Sequence, residues 1–314
     1  MKKMKFLAIS LNPAIDYIIY CDHFKSYSKN IVMETSQFPA GKGRNVALAL
    51  RKFSQKVSLL EILGKENVNV FKKDSLKFGI DSIFFCVDGY TRTNIKIIDG
   101  NKGKDTELNE RGFSLDQGES QRILDFLAKH ASDFGFVCIS GSLPAGMEDN
   151  FYHQVVELVN SAGSRCALDT SGLPLQKGIA AAPAVLHVNR FELGELLGNS
   201  FRSNNEVYEA TQHLIRMGIC LVVVSMGREG ALANNGRCSW LARPPEVIVR
   251  NTIGAGDVML ASIMYDFIKS TPLDILIKNA TALATASTIE LNLRDMEIKQ
   301  ADDIARNTKL SQIK

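Results

Sequence analysis

From residue 115 onward the chain alternates short apolar runs with stretches whose apolar residues recur at helical spacing. Strand-like runs at 136–140, 165–168, 185–188 and 219–224 are separated by helical patterns at 123–127, 151–159 and 192–197. Strands that alternate with helices build βαβ units, and those stack into a parallel sheet covered by helices. The chain opens the same way. Residues 6–11 and 57–63 read as buried strands, and 68–78 as an amphipathic helix closing at Gly79. Asn234-Asn235-Gly236 marks a hairpin near the sheet edge, and 273–289 is one long helix rich in Ala and Thr.

The segments 17–21 and 31–37 do not fit that alternation. They are extended, with polar and charged connections, and predict a small sheet apart from the core. Strand-like stretches at 80–87 and 94–98 are joined by 88–93, and Asn101-Lys102-Gly103 is a turn. A chain of 314 residues, 45% hydrophobic and 23% charged, can bury one large core with an appendage. A net charge of +3 is too small and too evenly spread to argue for nucleic acid. The six cysteines mostly sit in apolar runs without Cys-x-x-Cys spacing, so they read as small buried hydrophobes in a reducing compartment. The basic start leads into a short apolar run broken by Asn12-Pro13 and Asp16, so no signal peptide or membrane span is expected. The expected location is cytoplasmic.

The chemistry concentrates in Asn251-Thr252-Ile253-Gly254-Ala255-Gly256-Asp257, which runs directly into the apolar stretch 258–264. A turn of small residues entering a buried helix leaves backbone N–H groups unpaired, and the helix dipole adds positive charge there. Such a junction is an anion hole, and Asp257 beside it is placed to take a proton. Met259 stands where a dinucleotide fingerprint needs its third glycine, and no Gly-Lys-Ser/Thr follows to make a Walker loop.

Further loops fall at the C-terminal ends of the predicted strands: 12–16, 140–144, 189–192 and 225–230. In an open α/β sheet these loops share the rim where ligands bind. Asn189 and Glu192 lie at i and i+3 of a helix start, on one face, and offer a carboxylate to a hard cation. Pro39-Ala40-Gly41-Lys42-Gly43-Arg44-Asn45 is a second glycine loop at a helix start, this one carrying two cations.

Asn12-Pro13-Ala14-Ile15-Asp16, Gly41-Lys42-Gly43-x-Asn45, Thr91-Arg92-Thr93-Asn94, Ser140-Gly141-Ser142-Leu143-Pro144, Asn189-x-x-Glu192 and Gly254-Ala255-Gly256-Asp257 occur in this order. The set resembles the PfkB branch of the ribokinase-like sugar kinases across essentially the whole chain. The resemblance implies an α/β fold: a ribokinase-like three-layer core with a central, mostly parallel sheet, plus a small β-sheet lid. It places the core at 1–11, 38–87 and 110–314 and the lid at 12–37 and 88–109.

It also implies ATP- and Mg²⁺-dependent phosphorylation of a ketohexose monophosphate, with fructose 1-phosphate expected and tagatose 6-phosphate or fructose 6-phosphate as alternatives. A sugar-phosphate sensor without catalysis is the alternative of another class. By resemblance Asp257 is the general base, and Gly254, Ala255 and Gly256 are the anion hole. Asp16, Gly41, Lys42, Asn45, Arg92, Asn94 and Ser140 bind the sugar phosphate, Lys42 and Arg92 taking its phosphate. Asn189, Ser225, Gly227, Gly230, Asn279 and Ala282 serve the nucleotide, and Glu192 the metal. The expected assembly is a homodimer through the lid. Where the family commonly has Lys-Pro-Asn before the metal glutamate, this chain has His187-Val188-Asn189.

Overall fold

The structure, a computed structural model, describes residues 5–100 and 104–314. The first four residues and the turn expected at 101–103 lie outside the described residues. In chain order, β1 (Lys5–Ser10), β2 (Ala14–Cys21) and β3 (Glu34–Ala40) precede α1 (Lys42–Lys52). Next come β4 (Lys56–Gly64), α2 (Val68–Phe78), β5 (Asp81–Val87), β6 (Thr93–Asp99) and β7 (Lys104–Asn109). The alternating region holds α3 (Gln117–His130), β8 (Phe136–Ser140), α4 (Phe151–Ser161), β9 (Arg165–Asp169) and α5 (Gly172–Gly178). It continues with β10 (Val185–Asn189), α6 (Arg190–Leu197), α7 (Asn204–Arg216) and β11 (Leu221–Ser225). The hairpin β12 (Ala231–Asn234) and β13 (Ser239–Arg243) leads to α8 (Ala255–Ile268), α9 (Leu273–Ile289), α10 (Ile298–Asn307) and β14 (Lys309–Gln312).

One sheet runs β14-β13-β12-β11-β10-β9-β8-β1-β4-β5. From β5 to β11 all neighbours are parallel, and β12, β13 and β14 add an antiparallel edge. Both faces are covered, as parallel strands require. Leu7 and Ile9 of β1 point to one face, where Leu127, Val155, Leu175, Leu193 and Leu214 bring in α3 to α7. Phe6 and Ala8 point to the other, against Val46, Leu50, Leu260, Ile263 and Ile277 of α1, α8 and α9. The result is the three-layer core that the resemblance implies, built on the parallel sheet expected from the alternation. α10 packs outside it through Ala301 and Ile304.

The second sheet, β3-β2-β6-β7, stands apart from the first. β3 runs on to Ala40, so the segment 38–40, grouped with the core in the sequence reading, completes a strand of this lid. α7, α10 and β14 are not among the elements expected from the sequence. α7 buries Val207, Ala210, Thr211 and Leu214, a stripe diluted by a polar residue. β14 is held by pairing with β13 (Leu241 opposite Ser311), a contact that no local pattern encodes. All six cysteines are free, but Cys220 is exposed, contrary to the expectation of burial, because it precedes β11 instead of lying within it.

Candidate active site

The C-terminal ends of β1, β8, β9, β10 and β11 meet under the lid around a cavity of about 500 Å³. Each strand ends by presenting a polar side chain or free backbone there: Asn12, Gly141 and Ser142, Asp169, Asn189 and Ser225. α1 brings Lys42 and Asn45, the lid brings Asp16, Arg92 and Asn94, and the turn into α8 brings Gly254, Gly256 and Asp257. A second cavity of about 590 Å³ adjoins it, lined by Gly227, Gly230, Pro244, Pro245, Val247 and Thr285 among others. Ser225 and Gly256 line both. Two ligand spaces therefore share one wall, and that wall is the start of α8.

Gly254 caps α8 with φ of 83°, a left-handed conformation open to glycine, and no side chain caps this helix end. The Ala255 N–H turns back to Thr252 O at 3.3 Å and the Val258 N–H to Gly254 O at 2.9 Å, while the N–H groups of Gly256 and Asp257 between them have no backbone acceptor among the described residues. Asp257 sits in that turn, buried, and accepts a hydrogen bond from Asn45 Nδ2 at 2.8 Å on Oδ2. Burial, and after it the nearby charge of Asp169, push its carboxyl up to about 7, with Lys42, Asn45 and His187 pulling the other way. A carboxylate so placed is matched to accepting a proton near neutral pH.

Asp169 is the hub beneath. Its Oδ1 accepts from Lys42 Nζ at 2.8 Å and its Oδ2 faces His187 Nδ1 at 2.7 Å. Burial opposes its charge, but Lys42 and His187 overcome that and hold it well below the usual carboxylate range. Lys42 is in turn held charged: burial opposes its charge, and Asp169 and then Asp257 outweigh it. Its amine also lies 4.0 Å from Glu192 Oε1. Asn189 and Glu192 form a capping box, Asn189 Oδ1 accepting from Glu192 N and Glu192 Oε2 accepting from Asn189 N, both at 2.8 Å. Glu192 Oε1 is left to the cavity side. Among the described residues no three acidic, His or Cys groups are arranged to hold a metal alone. The donor set fits a cation that takes one carboxylate and otherwise phosphate oxygens and water, the habit of Mg²⁺.

On the lid side Asn94 Nδ2 donates to Asp16 Oδ1 at 3.0 Å, and burial raises the Asp16 carboxyl against the pull of Asn94 and Arg92. Arg92 donates to Asn12 O at 3.1 Å and Glu110 O at 3.2 Å, while its buried Nε has no acceptor among the described residues. In the Gly-Lys-Gly loop the two glycines do different work. Gly41 lines the cavity, whereas a Cβ on Gly43 would meet Ile9 O at 2.5 Å, so that glycine lets α1 lie against β1.

Three residues picked from the sequence fall outside both cavities. Asn279 donates to Asp266 Oδ2 at 2.9 Å, and Ala282 is buried on another side of α9. The α9 face that lines the second cavity is Thr281, Ala284, Thr285 and Thr288, because the rotation of the helix turns 279 and 282 away. Ser140 is buried below the cavity floor that Gly141 and Ser142 line. Conversely Asp169 is central and was not singled out as a site residue. Its signal was available: a lone carboxylate ending an apolar strand, as Asp16 follows the first.

This layout, a doubly covered parallel sheet with two joined cavities and a basic carboxylate between them, defines a group-transfer enzyme that holds donor and acceptor together. The family model for pfkB family carbohydrate kinases matches residues 9–299, and the chain belongs to that family. It is 33% identical over 285 residues to the 1-phosphofructokinase of Escherichia coli strain K12, covering 91% of each chain. It is 35% identical over 264 residues to that of Xanthomonas campestris, covering 83% of each. Among solved structures, phosphofructokinase-2 from Escherichia coli in complex with potassium superposes with a TM-score of 0.89 at 22% identity, over 98% of this chain and 99% of that one. A possible 1-phosphofructokinase from Thermotoga maritima superposes at 0.85 with 25% identity, over 99% and 100%. The protein is an ATP-dependent sugar kinase.

Proposed function

We propose that the enzyme transfers the γ-phosphoryl group of ATP to fructose 1-phosphate, giving fructose 1,6-bisphosphate. The observation that carries this reading is Asp257, a buried carboxylate raised to about 7 at the junction of two cavities and the start of α8. The relatives named 1-phosphofructokinase supply the choice of sugar. The polar cavity takes the sugar phosphate and the less polar one the nucleotide. Asp257 accepts the proton of the free 6-hydroxyl as its oxygen bonds to the γ-phosphorus. The bond from that phosphorus to the bridging oxygen breaks, and ADP leaves with the electron pair. The N-terminus of α8 faces the charge that spreads over the moving phosphoryl.

Asp16, Asn94 and Asn45 hold sugar hydroxyls. Arg92 has an unpartnered Nε for the phosphate already on the sugar, and Lys42, anchored on Asp169, keeps further N–H donors for it. Glu192, held by the Asn189 cap, would hold Mg²⁺, whose chemistry is to neutralise phosphate oxygens. The lid carries exposed apolar side chains, among them Met33 and Leu108, and pairing of two lids into a homodimer would bury them. Among the described residues no helix is long and apolar enough to cross a membrane, and the reading places the enzyme in the cytoplasm.

An ADP-release assay comparing fructose 1-phosphate, tagatose 6-phosphate and fructose 6-phosphate at sub-saturating concentration tests the assignment. Tagatose inverts C4, and a buried polar partner left unpaired costs about 1–3 kcal/mol, or roughly five- to 150-fold in kcat/KM. Fructose 1-phosphate is expected to be fastest. A faster reaction with tagatose 6-phosphate overturns the substrate and leaves the kinase chemistry standing.

A further inference from the structure

Arg294 lies in the single 3₁₀ turn Leu293–Asp295 that follows α9. Its backbone is fixed: Asn292 Oδ1 accepts from its N–H at 2.9 Å, and Lys52 Nζ of α1 donates to its carbonyl at 2.9 Å. From there the guanidinium bridges core and lid. Nη2 donates to both oxygens of Asp74 on α2 at 3.1 Å, and at 2.6 Å to the carbonyl of Pro39 on β3, the strand at one end of the lid sheet. Its Cζ stands 4.5 Å over the ring of Phe38 on the same strand. Asp74 also accepts from Arg44 Nη1 at 2.8 Å, and Arg44, fully buried in the first turn of α1, pairs with Glu61 of β4. The side chains of Glu61, Arg44, Asp74 and Arg294, acidic and basic in turn, thus run from the central sheet to the lid. A buried chain of this kind adds little stability over apolar side chains of the same volume. What it fixes is direction, because Asp74 is shared between the helix that carries Lys42 and Asn45 and the strand pair that carries Asp16.

We infer that Arg294 is a positioning residue of the sugar site, which clamps the end of β3 to α2 and so sets, across the β2–β3 pair, where the Asp16 carboxyl meets the sugar hydroxyls. Phe38 lies opposite Asp16 in that antiparallel pair, so the two side chains share one face of the lid. Asp16 lines the polar cavity, whereas Arg294 lines neither cavity and acts on the sugar only through the lid. The Asn94 bond holds Asp16 within its own sheet, and Arg294 holds that sheet to the core. A hydrogen bond weakens steeply once it is misdirected, so the placing of the strand decides what Asp16 contributes. Burial raises the Asp16 carboxyl, and after Asn94 and Arg92 the charge of Arg294 draws it down, with Glu107 opposing.

The inference rests on the proposed role of Asp16, and its test uses whichever of the three sugar phosphates the wild-type enzyme turns over fastest. Arg294→Met keeps an unbranched stem over Phe38 and leaves Asp74 paired with Arg44, so no buried carboxylate is stranded. It is expected to raise the KM of the sugar phosphate by roughly tenfold, the worth of one charge-assisted contact. The KM of ATP, and kcat at saturating sugar, should stay within about twofold, because the Asp16 contacts serve bound substrate and transition state alike. In the Asp16→Asn background the same substitution should cost less than about twofold, since residues that act through one contact are not additive. Arg294→Lys, with a shorter stem and no planar fork, should move the sugar KM the same way by about threefold, and serves if the methionine variant misfolds. An Asp16→Asn enzyme at the wild-type sugar KM overturns the Asp16 assignment itself. With Asp16 upheld, an unmoved sugar KM in the Arg294 variants, an equal rise in the KM of ATP, or additive losses in the two backgrounds overturns the inference.

Discussion

Asn45 Nδ2 donates to Asp257 Oδ2 at 2.8 Å, joining the start of α1 to the start of α8 across 212 residues of chain. The bond pins one oxygen of the carboxylate and leaves the other for a substrate hydroxyl. It also favours the ionised form, against the burial that raises the group. Asp257→Asn keeps the shape and removes the proton acceptor. The expected loss in kcat is ~10²–10⁴-fold, with substrate binding largely retained. A variant keeping a tenth of the wild-type rate would show that the base lies elsewhere.

The raised carboxyl also has a stability sign. The folded protein keeps a proton on Asp257 up to about pH 7, whereas the unfolded chain releases it near 3.8. Folding stability from this group is therefore full below that lower value and is lost as pH rises through about 7. Asp257→Asn removes the penalty, so the inactive variant is expected to melt higher than wild type at pH 8 and similarly at pH 4. Equal melting shifts at both pH values would contradict the raised pKa.

The acid limb of the rate profile follows from the same group. As base, Asp257 must be ionised, so kcat/KM should rise with pH through about 7. Lys42 helps hold Asp257 ionised, and Lys42→Met should move that limb to higher pH as well as raising the KM for the sugar phosphate. A limb that stays in place shows that Lys42 does not act on Asp257.

Arg92→Ala should raise the KM of the sugar phosphate much more than that of ATP. A lost charge-assisted contact is worth on the order of 1.5–3 kcal/mol, and Arg92 is held by the lid, away from the nucleotide cavity. Equal effects on both substrates would remove Arg92 from the sugar-phosphate site.

Glu192→Gln should raise the Mg²⁺ concentration needed for half-maximal rate without unfolding the enzyme. Glutamine still accepts from Asn189 N, so the capping box survives while the charge is lost. An unchanged Mg²⁺ titration would leave Glu192 as a helix cap only.

The alternation after residue 115 determined the parallel sheet and its cover of helices, because period and length of apolar runs are local properties. Gly254 to Asp257 was likewise readable as a helix start with a carboxylate beside free backbone N–H groups. What the sequence did not hold was which side chains meet. Lys42, Asp169 and His187 come from α1, β9 and β10, and only the parallel register of neighbouring strands brings Asp169 and His187 together. The same holds for α9, where helix rotation decided between Asn279, turned to Asp266, and Thr285, turned to the cavity. The edge strand β14 was invisible for a related reason: among the described residues its one strand partner is β13, which lies far back in the chain. The sequence by itself determined the element types and the chemistry on offer, since those depend on neighbours within a few residues. The tertiary structure decided the ion pairs, the burial that raises Asp257 to about 7 and the unpartnered nitrogen of His187. Charge and desolvation act through space, between groups that the chain keeps far apart.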